Sequence, residues 1–102
     1  MSTYVSIGRN IGDEPMRAES WRDFRAAVAA VLEDNVGRLV SETVGRGYYG
    51  GAAEDTAVVV AEGSPALLAR DDLERRLAIL ARRYGQESIA LTIGEPTFVP
   101  AS

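Results

Sequence analysis

The spacing of apolar residues changes several times along this 102-residue chain, and the order of those changes constrains the fold more than any other feature. An alternating or continuous apolar pattern, typical of strands, occupies segments 3–10, 38–44, 56–62 and 88–93. Segments 21–32 and 73–84 instead place apolar residues three or four positions apart, as helices with one buried face do. The predicted order of elements is therefore βαββαβ.

This order predicts an α+β domain with the ferredoxin-like arrangement. With right-handed crossovers, the four strands form an antiparallel sheet and both helices pack on one of its faces. The length suits one domain over residues 1–102, with a short tail at 95–102 in which Thr97 to Val99 is a candidate fifth edge strand. The residues expected to fill the core between helices and sheet are Val5, Ile7, Phe24, Val28, Leu77, Leu80, Ile89 and Leu91.

Local signals mark the expected ends of both helices. Ser20, followed three residues later by Asp23, resembles a capping box at the start of the first helix. Ser64 and Pro65 have the residue types of the N-cap and first position of the second helix. Gly85 is placed to end that helix in the left-handed conformation.

Missing residue types exclude several kinds of site. The chain has no cysteine and no histidine, which rules out disulfides, the common zinc sites and nucleophilic triads that depend on either residue. Two acidic pairs, Asp13–Glu14 and Asp71–Asp72, lack the spaced ligands of a dedicated cation-binding loop. We therefore expect no metal and no cofactor, and the sequence assigns no catalytic residue.

Charge and hydropathy indicate where the protein works. All 11 basic residues are arginines and the net charge is −4, which argues against a broad nucleic-acid surface. Residues 46–50 superficially resemble the aromatic motif of RNA-binding sheets, but they do not lie on the third strand, where that motif belongs. No apolar run is long enough to cross a bilayer, and residues 1–4 lack the charged start of an export signal. These features predict a cytoplasmic protein that binds neither nucleic acid nor membranes.

Four features of the chain occur together in one known family. They are Gly8–Arg9 at the end of the first strand, Trp21-x-x-Phe24 in the first helix, a glycine-rich stretch before the third strand, and Tyr84-Gly85-Gln86-Glu87-Ser88-Ile89. In these motifs, the last above all, the chain resembles a family of small bacterial proteins built on a domain of unknown function. The resemblance covers most of the chain, although segment 38–51 lacks the family's aromatic-rich turn. It implies a compact α+β domain with no assigned activity.

Polar residues at the ends of several elements are predicted to meet. In the ferredoxin-like arrangement the first strand runs antiparallel to the third and fourth, so its end lies beside their starts. We call this end of the sheet the rim, and we expect a ligand site there formed by Arg9, Asn10, Arg46, Tyr48, Tyr49, Gln86 and Glu87. A carboxylate of Glu54, Asp55 or Glu87 should lie within reach of Arg9. The alternative is that the rim has no function and Arg9 only forms a structural ion pair with Asp55 or Glu87.

Strand composition also predicts self-association. Residues 57–61 are apolar on both sides, yet two helices cover only one face of a four-stranded sheet. Tyr4, Val59 and Ala90 are expected to line the uncovered face. Such a patch favours a homodimer formed by packing two uncovered faces together under a two-fold axis.

Two functions are consistent with these features. The first is a non-enzymatic interaction or small-ligand-binding module that acts as a homodimer, with a protein or small molecule as its partner. The second is a cofactor-independent enzyme of the dimeric α/β-barrel type, in which a tyrosine or carboxylate moves protons. The absence of histidine counts against the enzyme. An enclosed apolar pocket of roughly 300 Å³ or more would favour it.

Overall fold

The computed structural model describes residues 2–49, 52–93 and 95–101. In chain order its elements are β1 (Ser2–Gly8), β2 (Asn10–Ile11), β3 (Glu14–Pro15), α1 (Ala18–Asn35), β4 (Leu39–Tyr49), β5 (Ala52–Glu62), α2 (Leu67–Arg83), β6 (Ser88–Ile93) and β7 (Glu95–Pro100). Over these residues, neither helix is both long enough and apolar enough to cross a membrane.

The main sheet confirms the predicted topology and extends it by one strand. Its order is β4-β5-β1-β6-β7, and every neighbouring pair is antiparallel. The first four strands in this order are those of the ferredoxin-like arrangement. The sheet has five strands because the tail pairs with β6, from Ser88 opposite Pro100 to Ile93 opposite Glu95. The tail therefore lies at the edge of the sheet.

Neither helix begins where its capping signal predicts: α1 begins earlier and α2 begins later. Helix α1 starts at Ala18 with Arg17 as its N-cap, so Ser20 lies inside the helix. Met16 and Trp21, on either side of that start, are both buried in the core. These are the two positions of a hydrophobic staple, and burying them draws the helix start towards Met16. Helix α2 starts at Leu67 with Ala66 as its N-cap, two residues after Ser64.

The end of α2 follows the prediction and matters for the rim. Gly85 has a φ of 69°, in the left-handed region that favours glycine. The Gln86 N–H donates to the Ala81 carbonyl at 2.8 Å, and the Gly85 N–H donates to the Arg82 carbonyl at 3.2 Å. This is the bonding pattern of a Schellman motif. It turns the chain sharply and leaves Gln86 at the start of β6.

The core lies between the helices and one face of the sheet. All eight residues predicted to fill it are buried there. One prediction about the opposite face is wrong: Val59 is fully buried against the helices and pairs with Val5. Alternation along β5 instead places Val58 and Val60 on the face without helices, opposite Ser6 and Tyr4. A continuous apolar run conceals this alternation, because every position in it is apolar.

A polar cluster joins the two helices on their outer side. Asn35 of α1 donates to Asp72 at 2.8 Å, and Arg76 donates to Asn35 at 2.7 Å and to Asp34 at 3.2 Å. Asp72 also accepts a hydrogen bond from Arg75. The hydrogen bond from Asn35, and then that from Arg75, lower the pKa of Asp72. The cluster ties the end of α1 to the middle of α2.

Candidate functional site

The sheet register brings the ends of β1 and β5 together at the rim. Gly8, the last residue of β1, pairs with Thr56. The pairing continues one residue further, because the Arg9 N–H donates to the Asp55 carbonyl at 2.9 Å. The next residues along each strand, Arg9 and Asn10 on one side and Glu54 and Asp55 on the other, are therefore neighbours in space although far apart in sequence.

Arg9 is held in one place by two contacts. One terminal nitrogen of its guanidinium donates to Asp55 Oδ2 at 3.0 Å, and its Nε donates to the Met16 carbonyl at 2.8 Å. The Met16 N–H in turn donates to the Arg9 carbonyl at 2.9 Å. The predicted pairing of Arg9 with a rim carboxylate is thus present. Because Arg9 also fastens the segment before α1, it has a structural role.

Strands β2 and β3 form a small hairpin beside the rim. The hairpin turns at Gly12, whose φ is 62°, and Asp13. Its first residue is held from two sides: the Asn10 N–H donates to Glu54 Oε2 at 2.8 Å, and Gln86 Nε2 donates to the Asn10 carbonyl at 2.9 Å. The Schellman turn after α2 therefore positions Gln86 to fasten this hairpin.

Glu54 reaches its position only because residue 8 is glycine. A β-carbon built on Gly8 would lie 2.5 Å from Oε1 of Glu54, well inside contact distance. The side chain of Glu54 consequently lies directly over the backbone of Gly8. A carboxylate is thereby held at the end of β1.

These residues surround an open cleft of about 260 Å³. Its lining contains three carboxylates and two guanidiniums, so it presents both signs of charge with one more negative than positive. Arg9 is held by two hydrogen bonds, whereas Arg46 lies 3.9 Å from Asp55 and its side chain is 66% exposed. Arg46 is therefore the cation that a bound molecule can most easily reach. The lining residues are Arg9, Asn10, Asp13, Pro15, Arg46, Ala53, Glu54 and Asp55.

The cleft contains some of the predicted ligand residues and not others. Arg9, Asn10 and Arg46 line it, and Gln86 contacts it through the Asn10 carbonyl. Tyr48 does not line it: that residue extends beyond the end of β1, opposite Ala53, and is 78% exposed. The exposed Glu87 lies beyond Gln86, where its carbonyl accepts the Ala101 N–H at 2.7 Å. The side chain of Tyr49 lies outside the described part of the chain.

The strand directions also predict that Glu54 and Asp55 lie at the rim, whereas the sequence offers Asp13 only as a weak candidate for binding a cation. The signal for Glu54 and Asp55 was their position at the start of the apolar third strand, opposite the end of the first. Asp13 has no such signal, because the β2–β3 hairpin brings it to the cleft. No group of three acidic residues in residues 2–49, 52–93 and 95–101 is arranged to hold a metal ion.

Comparison with known proteins informs the fold alone. No protein-family model and no curated protein matches the chain, so the resemblance of segment 84–89 to a bacterial family stays a prediction. Two solved structures are similar in fold. Phage SAM lyase in complex with S-methyl-5′-thioadenosine has a TM-score of 0.67 at 17% identity, covering 98% of this chain and 88% of that one. Phage SAM lyase in the apo state has a TM-score of 0.66 at 18% identity, covering 99% and 89%.

Proposed function

We propose that this protein binds a small zwitterionic molecule in the cleft at the rim. The observation that carries the proposal is the mixed charge of the cleft lining. Asp13 and Glu54 line the same cleft as two arginines. Arg9 is ion-paired with Asp55, and Arg46 is exposed. A molecule with a cationic and an anionic group satisfies both signs at once. Specificity in small-molecule sites generally comes from a few polar groups placed in this way.

The division of roles within the cleft follows from the contacts. Arg9 and Asp55 form the floor, since each is already bonded to the other. Arg46 is positioned to bind a carboxylate of the ligand, because its exposed guanidinium is held only at 3.9 Å. Glu54 accepts the Asn10 N–H at Oε2, and as a carboxylate it keeps acceptor capacity for a hydroxyl or cation of the ligand.

The fold likeness suggests which zwitterion to test. S-methyl-5′-thioadenosine is the molecule named in the complex of phage SAM lyase. S-adenosylmethionine, the molecule that name abbreviates, carries a sulfonium, an ammonium and a carboxylate, so its net charge is positive. That charge complements a cleft with one excess carboxylate. We therefore propose sulfonium nucleosides of this type as the ligand class.

Isothermal titration with S-adenosylmethionine and with neutral S-methyl-5′-thioadenosine tests the proposal. Binding of the first should weaken about tenfold or more in Arg46→Gln and Glu54→Gln, since each removes a charged contact. Arg38→Gln is the control, because Arg38 is also exposed and ion-paired but lies at the other end of β4, with Glu62. Absence of binding to the wild-type protein, or equal weakening by the control, would refute the proposed site.

The same incubations separate a binding module from an enzyme. The cleft is polar and open, unlike the enclosed apolar pocket expected of a dimeric α/β-barrel enzyme. Carboxylates that face a ligand can nevertheless accept a proton. Chromatography of S-adenosylmethionine after incubation distinguishes the two: an unchanged ligand supports the module, and time-dependent release of S-methyl-5′-thioadenosine supports the enzyme.

We also propose that the protein is a homodimer that packs through the face of the sheet without helices. Between Glu54 at one end and Glu62 at the other, the described residues on this face of β4, β5, β1 and β6 are uncharged. Tyr4, which is 43% exposed, lies at its centre between Val60 and Thr92, and Ala90 follows on β6. Tyr4, Val58, Val60 and Ala90 are apolar neighbours on this face, and contiguous exposed apolar residues are typical of an association surface.

Light scattering at micromolar concentration tests the dimer. The face-to-face contact by itself doubles the 10.9 kDa mass of the chain, and Val60→Glu should halve the mass observed for the wild-type protein. Ile79→Glu is the matched control, because Ile79 is an exposed aliphatic residue on α2, away from this face. A wild-type mass of one chain would disprove the dimer.

A further inference from the structure

The outer edge of β4 is open to pairing with another strand. β4 is the first strand of the sheet and, among the residues described, pairs with β5 alone. The opposite edge strand, β7, contains Pro96 and Pro100, each of which lacks the N–H that pairing requires. β4 has 11 residues and no proline. Its free N–H and C=O groups therefore form a template for a further strand.

The sequence of β4 is complementary to itself about Val44. Glu42 and Arg46 lie two residues before and after Val44, and alternation along the strand places all three on one face. When two such strands pair antiparallel with Val44 opposite Val44, each Glu42 lies opposite an Arg46 of the other copy. Opposite charges directly across an antiparallel pair attract, because their β-carbons are only about 4.5–5.5 Å apart. Two ion pairs then flank an apolar centre.

The three side chains are accessible, and the two charged ones are loosely held within their own chain. Val44 is 50% exposed. Glu42 is 3.3 Å from Arg25 of α1, and Arg46 is 3.9 Å from Asp55. Both distances exceed the roughly 2.7–2.9 Å of a strong charge-assisted bond. A second copy would offer each of them a closer partner.

We propose that the β4 edges of two copies pair antiparallel about a two-fold axis at Val44. The two five-stranded sheets then form one sheet of ten strands. The contact uses the edge of the sheet rather than its face, so it is separate from the face-to-face dimer proposed above, although it shares Arg46 with the ligand cleft. Self-complementary charge, rather than an apolar patch, determines its register.

Single-cysteine crosslinking tests the register directly, because the natural chain has no cysteine. In Val44→Cys the two thiols lie across the axis, within reach of a short thiol-specific bifunctional reagent. Tyr48→Cys is the control: Tyr48 is even more exposed, but two copies of that position would be roughly 27 Å apart along the strands. We expect at least about tenfold more crosslinked dimer from Val44→Cys. Equal yields, or no dimer from either variant, would overturn the pairing.

Charge reversal then tests the ion pairs in the Val44→Cys background. Glu42→Arg alone, or Arg46→Glu alone, places like charges opposite each other twice in a pair of identical chains, so the crosslinked yield should fall about tenfold. Mixing the two variants restores both attractive pairs, and the yield should recover as a mixed dimer that mass spectrometry identifies. Yields that ignore these charges would overturn the proposal. Recovery on mixing also shows that both variants are folded.

Discussion

Gly8 and Glu54 give a direct test of the geometry at the rim. A methyl group on residue 8 would lie 2.5–2.8 Å from the carboxyl atoms of Glu54. The φ of Gly8 is not positive, so alanine fits the backbone itself. Gly8→Ala should therefore displace the flexible end of Glu54 and break its 2.8 Å bond from the Asn10 N–H.

Two effects of opposite sign determine how much Gly8→Ala changes the free energy of unfolding. A hydrogen bond to a charged group contributes roughly 1.5–3 kcal/mol, and we take about 1.5 kcal/mol because this one is partly exposed. Alanine in place of glycine within a strand regains about 0.5–1 kcal/mol. Gly8→Ala should thus lower the free energy of unfolding by about 0.5–1 kcal/mol, or about 2–8 °C in Tm. In the Glu54→Ala background the bond is already absent, so the same change should raise stability by about 0.5–1 kcal/mol.

Urea denaturation followed by circular dichroism measures all four proteins of this double-mutant cycle. The expected coupling between the two positions is about 1.5 kcal/mol, because the gain from alanine is the same in both backgrounds and cancels. Gly45→Ala is a matched control, because a β-carbon at Gly45 in β4 meets nothing within 4 Å. It should give only the small gain. If Gly8→Ala changes stability equally in both backgrounds, Glu54 does not lie over Gly8 and the cleft is misdescribed.

Three further predictions use the same denaturation assays. Phe24→Ala and Leu77→Ala, both at fully buried positions, should each cost about 2–5 kcal/mol, and an unchanged urea midpoint would show that the helix faces are misassigned. The lowered pKa of Asp72 adds stability above its ordinary value of 3.8, so the Tm advantage over Asp72→Asn should shrink as the pH falls below that value. Gly85→Ala should cost about 1–2 kcal/mol, because φ is 69° there and the new methyl group would lie 3.1 Å from Ile11.

Local periodicity determined most of the fold. The alternation in residues 3–10 and the one-sided spacing in 21–32 predicted β1 and α1, and Gly85 predicted the end of α2. Right-handed connection rules then favoured the ferredoxin-like arrangement, which has the observed order of the first four strands. These features depend on residues close together in sequence and on the handedness of the backbone, so they can be predicted from one sequence.

Register was the point at which periodicity stopped being informative. In the run from Ala57 to Ala61 every residue is apolar, so nothing in the run indicates which side faces the helices. Pairing with β1 decided it, because Val5 is buried and lies opposite Val59. One residue of shift exchanges the two faces of a strand. The starts of the helices were likewise decided by burial of residues such as Met16 rather than by capping signals.

The candidate site, like the fold, was predicted only in part from the sequence. The sequence by itself placed Arg9, Asn10, Arg46 and Gln86 at one end of the sheet, because strand direction alone brings those ends together. Only the tertiary structure decided which of them share a cleft, with Tyr48 carried beyond it by the length of the β4–β5 hairpin. It also brought in Asp13, through a turn at Gly12 that no periodic pattern reports. Periodicity predicts where an element runs and which of its faces is buried. Contacts between distant segments depend on register, element length and turns, and these are determined only when the whole chain packs.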